Sequence, residues 1–139
     1  MKHYLFAALA LVLTGIACDN SGSSDATGTT VPSVPLTTET FKGTVQVMGS
    51  DFKNFTVAQT GEVDVTLTAA GPPPTITMGL GVGAGGSACT LLTGATVNTP
   101  AGTTAQLSGT ASAGAYCVEV YDIGNQAGPV DYTVTVAHP

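Results

Sequence analysis

Alternation of apolar and polar side chains constrains this chain more than any other feature. Residues 63–68, 116–121 and 132–136 each place Val, Leu or Tyr at every second position, with mostly Thr, Asp or Glu between them. Successive side chains of a β-strand point to opposite faces, so a period of two predicts strands with one buried face. Beyond the first 17 residues, no segment carries start and stop signals for a helix. We therefore predict an all-β domain.

Weaker patterns of the same kind predict five further strands, at residues 41–47, 52–58, 75–82, 88–92 and 103–109. Short segments rich in Gly, Pro, Asn and Asp separate the strands and are typical of turns. They lie at residues 49–51, 60–61, 71–74, 83–86, 99–102, 113–114 and 124–129. About eight short strands at this spacing predict an antiparallel, jelly-roll-like β-sandwich of two packed sheets.

The N-terminus predicts export and a lipid anchor. A short cationic start precedes an apolar run at residues 4–13, which is too short to span a bilayer comfortably. The string Gly15-Ile16-Ala17-Cys18 resembles a bacterial lipoprotein signal, in which the Cys becomes residue one and carries acyl chains such as palmitate. Gly15 departs from that pattern, because Leu is usual there. We expect a signal peptide at residues 1–17 and a lipid on Cys18; the alternative is an ordinary signal cut near Ala17.

A linker is predicted next, at residues 18–40. This stretch is rich in Ser, Thr, Gly and Pro, has little apolar content and shows no periodicity, which is typical of a spacer. The remaining residues, 41–139, are enough for one small domain. We expect the linker to hold that domain away from a membrane surface.

Two cysteines remain in the predicted domain, Cys89 and Cys117. An even pair in an exported protein favours a disulfide. The alternative is a catalytic thiol, which would need a histidine partner, and after removal of the signal only His138 is left. A zinc site would need four ligands, and two distant cysteines with one histidine do not supply them.

The charged residues and histidines of the chain argue against several classes of function. The net charge is −6, with three Lys and no Arg, so the chain cannot neutralise a row of phosphates and nucleic-acid binding is not expected. The same shortage of histidine leaves no Ser-His-Asp set. Asp64 and Glu119 lie on predicted strands among outward-facing polar residues, which favours a solvated face over the paired carboxylates of a glycosidase. We expect a protein that is not an enzyme.

Three features are candidate ligand sites. Asp122, Asn125 and Asp131 flank one turn and carry oxygen atoms of the kind that calcium prefers, although turn Asp and Asn usually cap their own backbone. Tyr121 is the aromatic residue that alternation leaves exposed, either to stack on a sugar or to cover neighbouring Thr side chains. The glycine-rich run at residues 79–86 lacks the Lys and the helix of a phosphate-binding loop, so a flexible hairpin or bulge is predicted instead.

The order of these segments resembles a known family. Residues 52–57 and 61–67 are followed much later by 114–122 and a closing strand at 131–136, an arrangement similar to the bacterial pre-peptidase C-terminal (PPC) domain. The resemblance implies a jelly-roll-like β-sandwich with an accessory role in secretion, solubility or polymer binding. That family often has an Asp-x-Asp stretch in its middle strand, and residues 75–80 carry none.

These observations predict a non-catalytic, lipid-anchored protein of the bacterial cell envelope, on the periplasmic or outer side of a membrane. Its expected partners are the membrane, through the lipid, and a protein or polysaccharide ligand of the sandwich. No cofactor is expected. The alternative is a calcium-dependent module for adhesion or stabilisation, and a small hydrolase is the third reading of the acidic residues.

Overall fold

The computed structural model describes residues 34–139. The predicted signal peptide, Cys18 and most of the predicted linker lie outside these residues. The described part contains eight strands: β1 (Thr37–Val45), β2 (Ser50–Val57), β3 (Gly61–Gly71), β4 (Thr77–Ala84), β5 (Thr90–Pro100), β6 (Leu107–Ala111), β7 (Gly114–Tyr121) and β8 (Val130–His138). Within residues 34–139 there is no helix that could cross a membrane.

The strands form two antiparallel four-stranded sheets. One sheet has the order β1-β8-β3-β6 and the other has the order β2-β7-β4-β5. The two sheets pack face to face with an apolar core between them. The predicted antiparallel β-sandwich of about eight strands is therefore confirmed.

The core is built from the alternating residues of the central strands. On β3 and β8 every inward position of the predicted patterns is buried, and most of the largest fully buried side chains belong to this set or to its partners in the other sheet. They include Leu67, Met78, Leu80, Val65, Val118, Val120, Val134 and Val136. The alternation predicts these strands well because one face of each meets the opposite sheet and the other meets solvent.

The edge strands differ most from the prediction. β1 begins at Thr37, so residues 37–40 of the predicted linker pair with the end of β8, at Thr135 to His138. β5 runs on to Pro100 instead of ending near residue 92, and β6 begins only at Leu107. Most side chains on these edges are exposed, so backbone pairing fixes the strands while the apolar pattern is weak.

Most of the glycine-rich run lies in the central strand β4, whereas Gly85 and Gly86 belong to the turn between β4 and β5, and the pairing with β5 has a bulge or irregularity between Gly81 and Gly83. In β4 the residues Met78 and Leu80 point into the core, while Gly79, Gly81 and Gly83 alternate with them on the outer face. A side chain at each of these glycines would meet a neighbour, which explains why the positions lack one. The ring of Tyr121 lies against Gly79, the side chains of Leu91 and Thr96 against Gly81, and the carbonyl of Thr90 against Gly83.

Candidate binding groove

A groove opens between the two sheets on one side of the sandwich. The outer strands on that side, β5 and β6, belong to different sheets and are not hydrogen-bonded to each other. The groove has a volume of about 440 Å³, and we call it the edge groove. Its apolar floor is formed by Phe55, Val63, Val65, Val82, Leu107 and Tyr116.

One wall of the edge groove is an irregular stretch of β5. Leu91 and Thr96 pair with Gly83 and Gly81, so the four residues between them stand opposite the single residue Val82 of β4. Residues 92–95, which we call the arch, therefore leave the regular ladder. Gly94 in the arch has a φ of 80°, a conformation that glycine adopts without steric cost. The apolar side chain of Leu92 is 44% exposed at the rim.

The other wall is β6, which lacks a side chain where the groove opens. Gly109 pairs with Val63, so it occupies an inward-facing position between those of Leu107 and Ala111. A Cβ atom at Gly109 would have no other atom within 4 Å. The missing side chain leaves space above the floor of the groove, open to solvent because Gly109 is exposed.

Charge separates the two sides of the sandwich. No residue lining the edge groove is charged, and neither β5 nor β6 contains a charged residue. The opposite side, by contrast, carries Glu39 and Lys42 on β1 and Asp51 and Lys53 on β2. Charged side chains on edge strands discourage pairing with other chains. The edges that line the groove have no such protection.

The opposite side is also closed by a polar bridge between the sheets. The hydroxyl of Tyr132 donates a hydrogen bond of 2.9 Å to Asp51, whose carboxylate also lies 3.1 Å from the ammonium of Lys53. Burial, together with the neighbouring Asp51 carboxylate, raises the pKa of Tyr132 above its usual value. A side chain at Gly43 would collide with both Asp51 and Tyr132, so this glycine gives the bridge its room.

The predicted disulfide is present. Cys89 and Cys117 are joined with a Cα–Cα distance of 5.7 Å, so neither thiol is free for catalysis. Cys117 is fully buried although it lies on the outer face of β7, because Cys89 and the start of β5 cover it. The bond thereby fixes the chain just before the arch.

The residues predicted to bind calcium form hydrogen bonds within the protein. The carboxylate of Asp122 accepts hydrogen bonds from the N–H groups of Met48, Gly124, Asn125 and Gln126, the first at 2.8 Å. The side-chain amide of Asn125 donates to the carbonyl of Thr77 at 2.9 Å. Asp122 therefore caps the turn after β7 and joins it to the turn after β1, as turn Asp residues commonly do.

Asp131 lies on β8 and accepts a hydrogen bond of 2.6 Å from the hydroxyl of Thr44 on β1. Within residues 34–139, no group of three or more His, Cys, Asp or Glu side chains is arranged to hold a metal ion. The calcium alternative therefore gains no support from this part of the chain.

Acid is expected to weaken the turns that Asp122 joins. The N–H of Met48 lowers the pKa of Asp122 most; desolvation opposes this, and the N–H groups of Gly124, Asn125 and Gln126 each lower the pKa by a smaller amount. A lowered folded pKa gives stability that is present above the unfolded value of about 3.9 and is lost as the pH falls through the folded value. We expect the Asp122→Asn variant to lose this contribution at neutral pH and to show a smaller fall in stability below pH ~4. Urea unfolding of both proteins at pH 7 and pH 3 measures the difference, and identical pH profiles would contradict the assignment.

The remaining predicted residues have the following places in the structure. Tyr121 is half-buried, and its ring lies against Gly79. Asp64 accepts a hydrogen bond from Ser108 on the outer face of one sheet, whereas Glu119 is on the other sheet. His138 is buried, with Nε2 2.9 Å from Glu39 and its ring packed against Phe55.

Sequence reasoning missed the edge groove, because its lining contains none of the residue types that mark catalytic or metal sites. One signal was available in the sequence. No charged residue and no histidine occurs between Asp64 and Glu119, a stretch that includes the whole of β4, β5 and β6. Two adjacent edge strands without a charge are unusual for a sandwich exposed to solvent.

Comparison with known proteins assigns no family. No protein-family model matches the chain, and no curated protein matches it. The resemblance to the PPC domain therefore stays an expectation, and any account of function rests on the site itself.

Proposed function

We propose that the chain is a non-catalytic, lipid-anchored module of the bacterial cell envelope that binds a protein or glycan through the edge groove. In this proposal Cys18 carries the lipid, and residues 19–36 connect it to β1. The sequence predicts a flexible spacer for this stretch, and a spacer of ~18 residues would have an r.m.s. reach of about 23 Å. That distance is enough to keep a small domain clear of the lipid surface.

The absence of a reactive set among residues 34–139 supports a binding role. Both thiols in this part of the chain form the disulfide, and the histidine is buried between Glu39 and Phe55. The hydroxyls that line the edge groove, such as those of Thr93, Ser108 and Thr110, lie in a lining without histidine, acid or lysine. A neighbouring base of this kind is a common way to activate a hydroxyl nucleophile.

The observation that carries the proposal is the uncharged edge groove. Apolar side chains form its floor, hydroxyl and backbone groups form its walls, and it lies beside two sheet edges that carry no charge. Sites of this composition suit ligands that are uncharged where they enter and that offer both apolar surface and hydrogen-bonding groups. Protein segments and glycans both meet this description.

A charge placed on the arch is expected to weaken binding. We expect the Cys18→Ser chain to move from the membrane fraction to the soluble fraction and still to bind a delipidated cell-envelope preparation. In that background, Thr93→Asp should weaken binding by about tenfold or more, since the ligand would have to desolvate the new carboxylate. Thr103→Asp is the matched control, because Thr103 is equally exposed but outside the groove.

Two results would contradict the proposal. Mass spectrometry that finds unmodified Cys18 in the membrane-bound protein would remove the lipid anchor. Equal binding by the Thr93→Asp and Thr103→Asp chains would remove the groove as the binding site.

A further inference from the structure

We infer that the ligand of the edge groove is an extended peptide segment of a partner protein, which adds a fifth strand to the β1-β8-β3-β6 sheet alongside β6. This inference rests on the proposed function, since it names the class of ligand that the groove binds. In this peptide, large apolar side chains alternate with Thr or Lys side chains.

The backbone of β6 supplies the first argument. β6 is the last strand of its sheet and is hydrogen-bonded only to β3. At every second residue, an edge strand of this kind directs an unpaired N–H and C=O away from its neighbour. A second peptide strand repeats its own donors and acceptors at the same spacing and can pair with all of them, whereas a glycan has no such repeat.

The space above Gly109 supplies the second argument. The inward positions of β6 are occupied by Leu107, Gly109 and Ala111, and the position of the glycine is empty. A side chain on an added strand opposite Gly109 would point into the groove and cover Val63. Large apolar or aromatic residues stabilise a glycine on a neighbouring strand in this way. The inward residue of the ligand is therefore large and apolar.

The outer face of the same sheet supplies the third argument. Ser108 and Thr110 point outward from β6, where they pair with Asp64 and Glu62 of β3. Asp64 accepts a hydrogen bond from Ser108, and no cation is near on β3 or β6. The outward side chains of an added strand would lie beside these hydroxyls and one strand away from two carboxylates. This position favours Thr, through hydroxyl pairing, and Lys, through charge.

A second copy of this chain fits the site less well. Pairing of β6 with β6 of another copy would bring in no basic side chain and would place Glu62 and Asp64 of both copies on one continuous sheet. Leu107 is the one large apolar residue of β6, so a second copy would fill the space above Gly109 only in the register that places its Leu107 there. A peptide with the alternating pattern fills the space above Gly109 with its apolar side chains and places Lys near the carboxylates of Glu62 and Asp64.

The test compares two peptides with the full-length chain in detergent. One labelled peptide of about seven residues alternates Lys or Thr with Val or Phe, and the other has the same composition with the apolar residues in one block. We expect the alternating peptide to bind about tenfold more tightly or better, since only that order places all apolar side chains in the groove.

Two glycine variants test the position of the peptide. Gly109→Leu fills the groove from within and is expected to reduce binding of the alternating peptide by about tenfold or more. Gly128→Leu is the matched control, because Gly128 also has open space around its Cβ position but lies in the loop before β8. Thermal melting checks that both variants fold. If Gly109→Leu does not fold, Thr93→Asp on the opposite wall gives an independent test.

Three outcomes would overturn the inference. The first is equal affinity for the two peptides. The second is a dimer of the unliganded chain that Gly109→Leu dissociates, which would make a second copy the occupant. The third is binding of a neutral N-acetylglucosamine oligomer, lost in Gly109→Leu, with no binding of either peptide. The last result would overturn strand addition and leave the proposed function intact. Equal binding of the Thr93→Asp and Thr103→Asp chains to the cell-envelope preparation would overturn both the strand addition and the proposed function.

Discussion

Removal of the disulfide is expected to lower the free energy of unfolding by about 3.5 kcal/mol. The bond between Cys89 and Cys117 closes a loop with a sequence separation of 28 residues, and chain-entropy estimates assign about this value to such a loop. For a domain of this size the loss corresponds to a fall in melting temperature of about 20 °C. It is a large part of the ~5–15 kcal/mol that stabilises a typical domain.

Urea unfolding of the Cys89→Ser/Cys117→Ala chain measures this effect. The parent chain under a reducing agent is the control, since it retains both sulfur atoms but loses the same constraint. We expect the two unfolding midpoints to agree closely. A loss below about 1 kcal/mol would mean that the loop is already constrained in the unfolded chain or that the bond strains the fold.

The second large effect is expected at the glycines of β4. A methyl group at Gly83 would collide with the backbone carbonyl of Thr90, which is held in place by the neighbouring disulfide, so the strand cannot move away easily. We expect Gly83→Ala to cost about 3 kcal/mol, the upper part of the range for overpacked positions.

Gly109→Ala is the matched control for that substitution. Gly109 is also on a strand, but a methyl group there has no other atom within 4 Å. Because alanine loses less backbone entropy on folding than glycine, this variant is expected to be more stable than the parent by about 0.5–1 kcal/mol. Chemical unfolding of both variants tests the pair. Equal effects at the two positions would contradict the close approach of β5 to β4.

The sequence predicts the parts of this fold in which one physical pattern dominates. Val63, Val65 and Leu67 are buried on one face of β3, and the alternation follows directly from that burial. The bounds of the edge strands β1 and β5 were predicted wrongly because residues 37–40 and most of β5 are exposed, so backbone pairing rather than apolar contact places them. Residues 75–82 were predicted as a strand, and the glycine-rich run at 79–86 that overlaps it was predicted as a hairpin or bulge, so the place of Gly83 inside the strand was missed. Only the contacts of Tyr121, Leu91 and Thr90 explain the glycines of this strand.

Among the sites, the disulfide could be predicted from the sequence and the edge groove could not. Cys89 and Cys117 were predicted to pair, because compartment and number leave one simple partner for each. The edge groove could not be predicted in the same way. Its defining feature is the absence of a side chain at Gly109. In addition, β6 pairs with β3 and β5 pairs with β4, so only the topology of the whole sandwich brings β6 and β5 to the same side.

Amide hydrogen exchange, followed residue by residue while the alternating peptide is added, is the most direct test of the account. We expect slower exchange at the β6 amides that point away from β3, within residues 107–111, and no change along β1 or β2. Protection confined to β1, β2 or the loop after β7, with β6 unchanged, would contradict the claim that the uncharged edge is the contact surface of this protein.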